Sequence, residues 1–174
     1  MNAPTLGSWW VRGISILGVL VACSLAPRDA SARDLQGRLG LGYNAQFANS
    51  FVSGRVPGIS LKYAATRDIA FEAVVGSSTS SPSNSVTGFK LFKNIFMETN
   101  LNFYFMAGGA IVSAANHSGT EFLGGFGTEF FIPGLESLGL AFEAGGSLHN
   151  LSGNSFSFRT FGVSFIDAGI HFYF

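Results

Sequence analysis

After residue 33, apolar and polar residues alternate along most of the chain with a period of two. That is the period of a β-strand with one greasy face, whereas an amphipathic helix repeats every ~3.6 residues. "RLGLGYNAQF" sends Leu39, Leu41, Tyr43, Ala45 and Phe47 to one face and Gly40, Gly42, Asn44 and Gln46 to the other. "ISLKYAA" sets Ile59, Leu61 and Tyr63 against Ser60 and Lys62, and "IAFEAVVG" sets Phe71, Ala73 and Val75 against Ala70, Glu72 and Gly76. "TGFKLF" opposes Phe89 and Leu91 to Lys90, and "LNFYFMAGGAIV" opposes Phe103 and Phe105 to Asn102 and Tyr104. "EFLGGFGTEFF" opposes Phe122, Phe126 and Phe130 to Gly125, Gly127 and Glu129. "LGLAFEAGGSL" opposes Leu140 and Phe142 to Glu143 and Ser147. In "FIDAGIHFYF", Ile166, Ala168, Ile170, Phe172 and Phe174 share one face and Asp167, Gly169, His171 and Tyr173 the other. Phe161 and Val163 break that parity, and a β-bulge near Phe165 would account for the slip.

These eight runs approach the length of about nine to eleven residues with which a tilted strand crosses a bilayer. The gaps between them alternate in kind. Thr66–Asp68, Lys93–Asn100 and Ile132–Ser137 form a turn side, with Lys93–Asn100 the longest gap there. Ser77–Ser85, Ser113–Thr120 and His149–Ser157 are polar and rich in Ser, Asn and Gly, and the gap around Ala48–Pro57 is less polar. Long gaps on one end and turns on the other describe an up-and-down barrel with both termini on the turn side. The predicted fold is all-β: an eight-stranded antiparallel transmembrane barrel over residues 33–174, preceded by a signal peptide over residues 1–32.

Composition decides which face is outside. Charged residues are 11% of the chain and aromatics 14%, with 19 Phe and 23 Gly. A soluble barrel with apolar residues inside needs a charged exterior, and there is too little charge to supply one. The polar phase is also rich in Gly and other small residues, as a narrow eight-strand interior requires. Lys62, Glu72, Lys90, Glu129, Glu143 and Asp167 all fall in that phase, so the lumen is where the charges belong. Hairpin geometry centred on Arg67 and Ser81 sets Lys62 opposite Glu72 and Glu72 opposite Lys90. A hairpin centred near Glu136 sets Glu129 opposite Glu143, a like-charge pair needing a counter-ion across the lumen or one raised pKa. His171, four residues beyond Asp167 on the same face, completes the lumen set. Two readings stay open: a gate, or a satisfied structural network that holds the barrel shut. Net charge is zero, which gives no electrostatic case for nucleic acid.

The first residues read as an address. "GISILGVLVACSLA" (Gly13–Ala26) is an apolar stretch of fourteen residues, too short to span comfortably. "ASA" (Ala30–Ala32) offers small residues for cleavage after Ala32. The rival is lipidation at Cys23, since "LVAC" (Leu20–Cys23) looks like a bacterial lipobox. Cys23 is the one cysteine, so an intramolecular disulfide and a thiolate zinc cluster are excluded.

The ending "GIHFYF", with Phe174, Phe172, Ile170 and Ala168 at alternate positions, resembles the C-terminal signature of bacterial outer-membrane barrels. With the signal and the alternating runs, the chain looks like a small eight-stranded barrel of the OmpA-transmembrane-domain or OmpX type. The resemblance implies that Ala168, Ile170, Phe172 and Phe174 are read by the barrel-assembly machinery. It also implies a Gram-negative-type outer membrane, lipid and lipopolysaccharide as neighbours, a monomer, and no cofactor. Some barrels of this size are lipid A enzymes. Deacylases of the PagL kind place His and Ser two apart, but His117 is followed at once by Ser118, and His149 precedes Ser152 by three; both histidines read as loop residues. His171 with Asp167 could orient a base, yet no nucleophile accompanies them. No metal spacing or phosphate loop appears. The expectation is a structural or envelope barrel with no catalytic centre. The alternatives are a lipid A-modifying enzyme, a narrow channel, or a surface-binding barrel using loop residues such as Phe51 and Val52.

Overall fold

A computed structural model describes residues 34–47, 56–79, 81, 83–114, 117–150, 156–161 and 166–174. The expected signal peptide, Cys23, Phe51, Val52, Ser152 and Val163 lie outside the described residues. The strands are β1 (Leu39–Asn44), β2 (Gly58–Ala64), β3 (Ile69–Ser78), β4 (Asn84–Glu98), β5 (Leu101–Ala114), β6 (His117–Ile132), β7 (Leu135–Asn150), β8 (Ser157–Thr160) and β9 (Ile166–Tyr173). Every pairing is antiparallel. β1 to β7 pair in chain order, β9 bridges β7 and β1, and β8 continues along β7 beyond β9. β8 and β9 are thus two pieces of one stave, and the sheet closes into an eight-stranded barrel. At the seam, the backbone N–H groups of Leu39 and Phe174 donate to each other's carbonyls at 3.2 and 2.9 Å.

Alternation sets the two surfaces. On β2 and β3 every second residue is buried, and its neighbours are exposed or half-exposed. Phe89, Phe105 and Phe142 are each about half exposed, at 52%, 53% and 50%. Inside, Val74, Phe92, Tyr104, Met106, Leu123 and Phe131 pack with the buried polar side chains.

The strands are longer and the connections shorter than the sequence pattern suggests. β6 and β7 have 16 residues each. At ~3.3 Å per residue that is about 50 Å, more than the ~35 Å needed to cross a ~25 Å apolar band at a ~45° tilt. Ser77–Ser85 and Ser113–Thr120 therefore contribute residues to strands as well as to loops. Lys93–Asn100 is not a long gap: β4 runs through it to Glu98, and only Thr99 and Asn100 turn. A bulge between Asn94 and Phe96 disguised it by leaving the neighbours Ile95 and Phe96 both exposed.

The eighth stave also departs from expectation. Gly146 pairs with Thr160 and Ala144 with Ile166, so two steps along β7 correspond to six along the other side. The difference of four is even, so the described residues on either side keep one parity; Phe165, near which a β-bulge was expected, lies outside the described residues. Phe161 is an apolar residue pointing into the lumen, fully buried, with its N–H donating to the carbonyl of Gly145.

Candidate functional site: the charged lumen

The seven expected lumen residues, Lys62, Glu72, Lys90, Glu129, Glu143, Asp167 and His171, are all buried. Each sits at an inward position of its strand, and the wall around them is made of small residues. A Cβ on Gly127 would approach Glu143 Cγ to 2.7 Å, and one on Gly139 would meet Glu129 Oε1 at 2.8 Å. The glycines make the room that the acids occupy.

Register places Lys62 opposite Glu72 on β2–β3 and Glu72 opposite Lys90 on β3–β4. Glu72 Oε2 lies 2.8 Å from Lys90 Nζ. Lys62 reaches across the lumen instead and donates to Glu129 Oε2 at 2.9 Å. Its ammonium also lies 4.5 Å from the centroid of the Phe92 ring, within cation–π range. His171 links the two ion pairs: Nε2 is 3.2 Å from Glu72 Oε1, and Nδ1 is 3.5 Å from Glu129 Oε1. Ser60 Oγ stands 3.0 Å from His171 Nε2, and the Tyr173 hydroxyl donates to Glu129 Oε1 at 2.6 Å.

The expected face-to-face pair of Glu129 and Glu143 does not form. Glu129 pairs with Ala141, and Glu143 pairs with Gly127 on β6 and Asp167 on β9. Pro133 and Gly134 form the β6–β7 turn, Gly134 with φ 86°, and Ile132 pairs with Leu135. A register shift beyond Phe131 then sets Glu129 opposite Ala141, two residues short of Glu143. Glu143 accepts a hydrogen bond from the Tyr104 hydroxyl at 2.6 Å.

Other expectations need adjusting. His171 is held by Glu72 and Glu129, and the Asp167 backbone faces Glu143. His117 and His149 are strand residues, not loop residues. His117 opens β6 on the exposed surface with exposed Ser118, and His149 is buried near the end of β7. Phe47 leaves the outward phase and is buried at 1% exposure. Its neighbour Gln46 accepts a hydrogen bond from Lys90 Nζ at 2.7 Å. Gln46, Ser60, Tyr104, Tyr173 and buried Glu121 were not singled out with the charged set. All five lie in the polar phase of the runs quoted above; Glu121 opens "EFLGGFGTEFF" at the parity of Gly125, Gly127 and Glu129.

Chemically, the arrangement fixes charges in place. Lys62 and Lys90 each have a carboxylate at salt-bridge distance, and His171 is ringed by two acids and a hydroxyl. Among the described residues, no group of three or more His, Cys, Asp and Glu is placed to hold a metal ion. No described helix is long and apolar enough to cross a membrane, which leaves crossing by strands untouched.

No family model and no curated protein matches the chain. Among solved structures it is similar to the N-terminal β-barrel domain of Pseudomonas aeruginosa OprF, with a TM-score of 0.57 at 15% identity. The match covers 80% of this chain and 98% of that one. At that identity the likeness is one of fold.

Proposed function

Starting from a barrel fold shared with that OprF domain, we propose that this chain is an integral outer-membrane barrel of a Gram-negative-type bacterium. Its role is structural, in the envelope, with lipid and lipopolysaccharide around it and no catalytic centre. One observation carries the reading: most large side chains in the outward phase of the strands are Phe, Leu, Ile, Val or Tyr, with charged Lys93 exposed at the turn-side end of β4, while the six charged residues expected in the lumen are all buried. Lys or Arg at the bilayer midplane costs about 2–4 kcal/mol on the lipid face, so the partition is the one a membrane selects. The interior is filled with rings and ion pairs, and filled eight-strand barrels leave no continuous water path.

The test is direct. Membrane-extracted protein run on a detergent gel should migrate differently before and after boiling, and should fractionate with the outer membrane. Reconstituted in planar bilayers, it should show no sustained open state. Identical migration of boiled and unboiled samples would overturn the membrane-barrel reading; a steady conductance abolished by Glu129→Gln would replace the structural role with a channel.

A further inference from the structure

The segment that leaves β1 does not rise away from the barrel. Asn44 Oδ1 accepts the backbone N–H of Gln46 at 2.9 Å, a local turn that steers the chain inward as the strand ends. Two side chains then enter the lumen. The Gln46 carboxamide oxygen takes a hydrogen bond from Lys90 Nζ at 2.7 Å, on the ammonium that also pairs with Glu72. The Phe47 ring lies against the inner wall at Gly88 and Gly108. A Cβ on Gly88 would come within 2.7 Å of that ring and within 2.9 Å of Ala110 Cβ, and one on Gly108 would stand 3.2 Å from it. Gly88 and Gly108 thus form a seat on β4 and β5 that only glycine leaves open.

We propose that Gln46 and Phe47 are a built-in plug that closes the loop-side half of the lumen, latched by Lys90 and seated on Gly88 and Gly108. The proposal rests on the membrane-barrel reading and adds what shuts that end. Nothing in the fold requires an apolar side chain to leave the lipid-facing phase at this point, and a wall kept bare of side chains beneath it is a fitted contact. The latch is a hydrogen bond to a charged group and the seat is a buried ring, both reversible without unfolding a strand. Displacing them would bare the Lys90–Glu72 pair to water from the loop side.

The experiment uses the full chain in outer membranes, with Cys23→Ser to remove the native thiol and Ala110→Cys, buried beside the ring's seat, as a reporter. A membrane-impermeant maleimide is added from outside. With Phe47 intact the thiol should be protected. Phe47→Ala should raise the labelling rate about tenfold or more, the population shift expected when one buried ring is lost. Phe47→Leu should keep most of the protection. Gln46→Ala, with Phe47 intact, should also raise labelling by releasing the Lys90 latch. Equal rates in all four proteins would overturn the plug. Each is checked for heat-modifiable migration; a parent that fails this check overturns the barrel reading itself, and a parent that passes while the variants label alike overturns the plug alone.

Discussion

Glu72 is fully buried, with Lys90 at 2.8 Å from one oxygen and His171 at 3.2 Å from the other. A buried ion pair adds little stability compared with an apolar pair of the same shape, but removing one partner strands the other charge, at about 3–5 kcal/mol. Glu72→Gln should therefore destabilise the barrel by about that much, since Lys90 would keep only the Gln46 oxygen and the new amide. Glu72→Gln with Lys90→Met should recover a large part of the loss. Urea unfolding in lipid vesicles, followed by tryptophan-free probes such as far-UV circular dichroism, reads both. A single variant as stable as the parent would mean that the lumen is wet enough to screen Lys90. At this scale the sequence was informative about which residues face inward and poor about whom they meet. Parity along one strand puts Lys62 inside; only the curvature of the closed sheet brings it to Glu129 on the far wall.

Strands were legible where the outward face alternates strictly with the lumen and illegible where that alternation stops. On the membrane-barrel reading, the 16-residue β6 and β7 outrun the apolar band, and there pairing persists without any need for every second residue to be apolar. Ser- and Asn-bearing segments at those ends consequently read as loops. Irregular positions misled in the same way: adjacent exposed Ile95 and Phe96 hide the continuity of β4, and apolar Phe161 buried in the lumen mimics a change of phase. The bilayer-enforced face makes a depth-dependent prediction on β5. Ala107 is an exposed residue near the middle of the strand, and Ser113 shares its outward phase near the loop end. Ala107→Arg should cost about 2–4 kcal/mol and Ser113→Arg about 0–1 kcal/mol, the profile of a lipid-facing strand. Unfolding midpoints of the two variants in vesicles check it; equal costs would mean that the outer face of β5 does not sense membrane depth.

At the scale of the whole molecule, closure depends on the joint between the first strand and the last. Leu39 and Phe174 exchange backbone hydrogen bonds, and among the described residues β1 pairs with β9 over Gly40–Tyr43. The Arg38 guanidinium adds a hydrogen bond to the Tyr173 carbonyl at 3.1 Å. Inward Tyr173 ties the seam to Glu129 on β6, two staves away. On the outside, Phe172 and Phe174 stand 51% and 64% exposed on the turn-side end of β9. Rings at that level suit the membrane interface, where an aromatic girdle anchors a barrel. Phe174→Ser keeps the backbone pair with Leu39 and removes only the ring. If the ring serves to deliver the last strand into the membrane, the variant should refold in detergent with the parent's urea midpoint, yet accumulate in the outer membrane at a reduced level, with more unfolded chain in the periplasm. Quantifying the heat-modifiable fraction in cells beside refolding in vitro separates the two effects. A variant equally impaired in both would assign Phe174 to seam stability, and one unimpaired in both would leave its ring as ordinary lipid-facing surface.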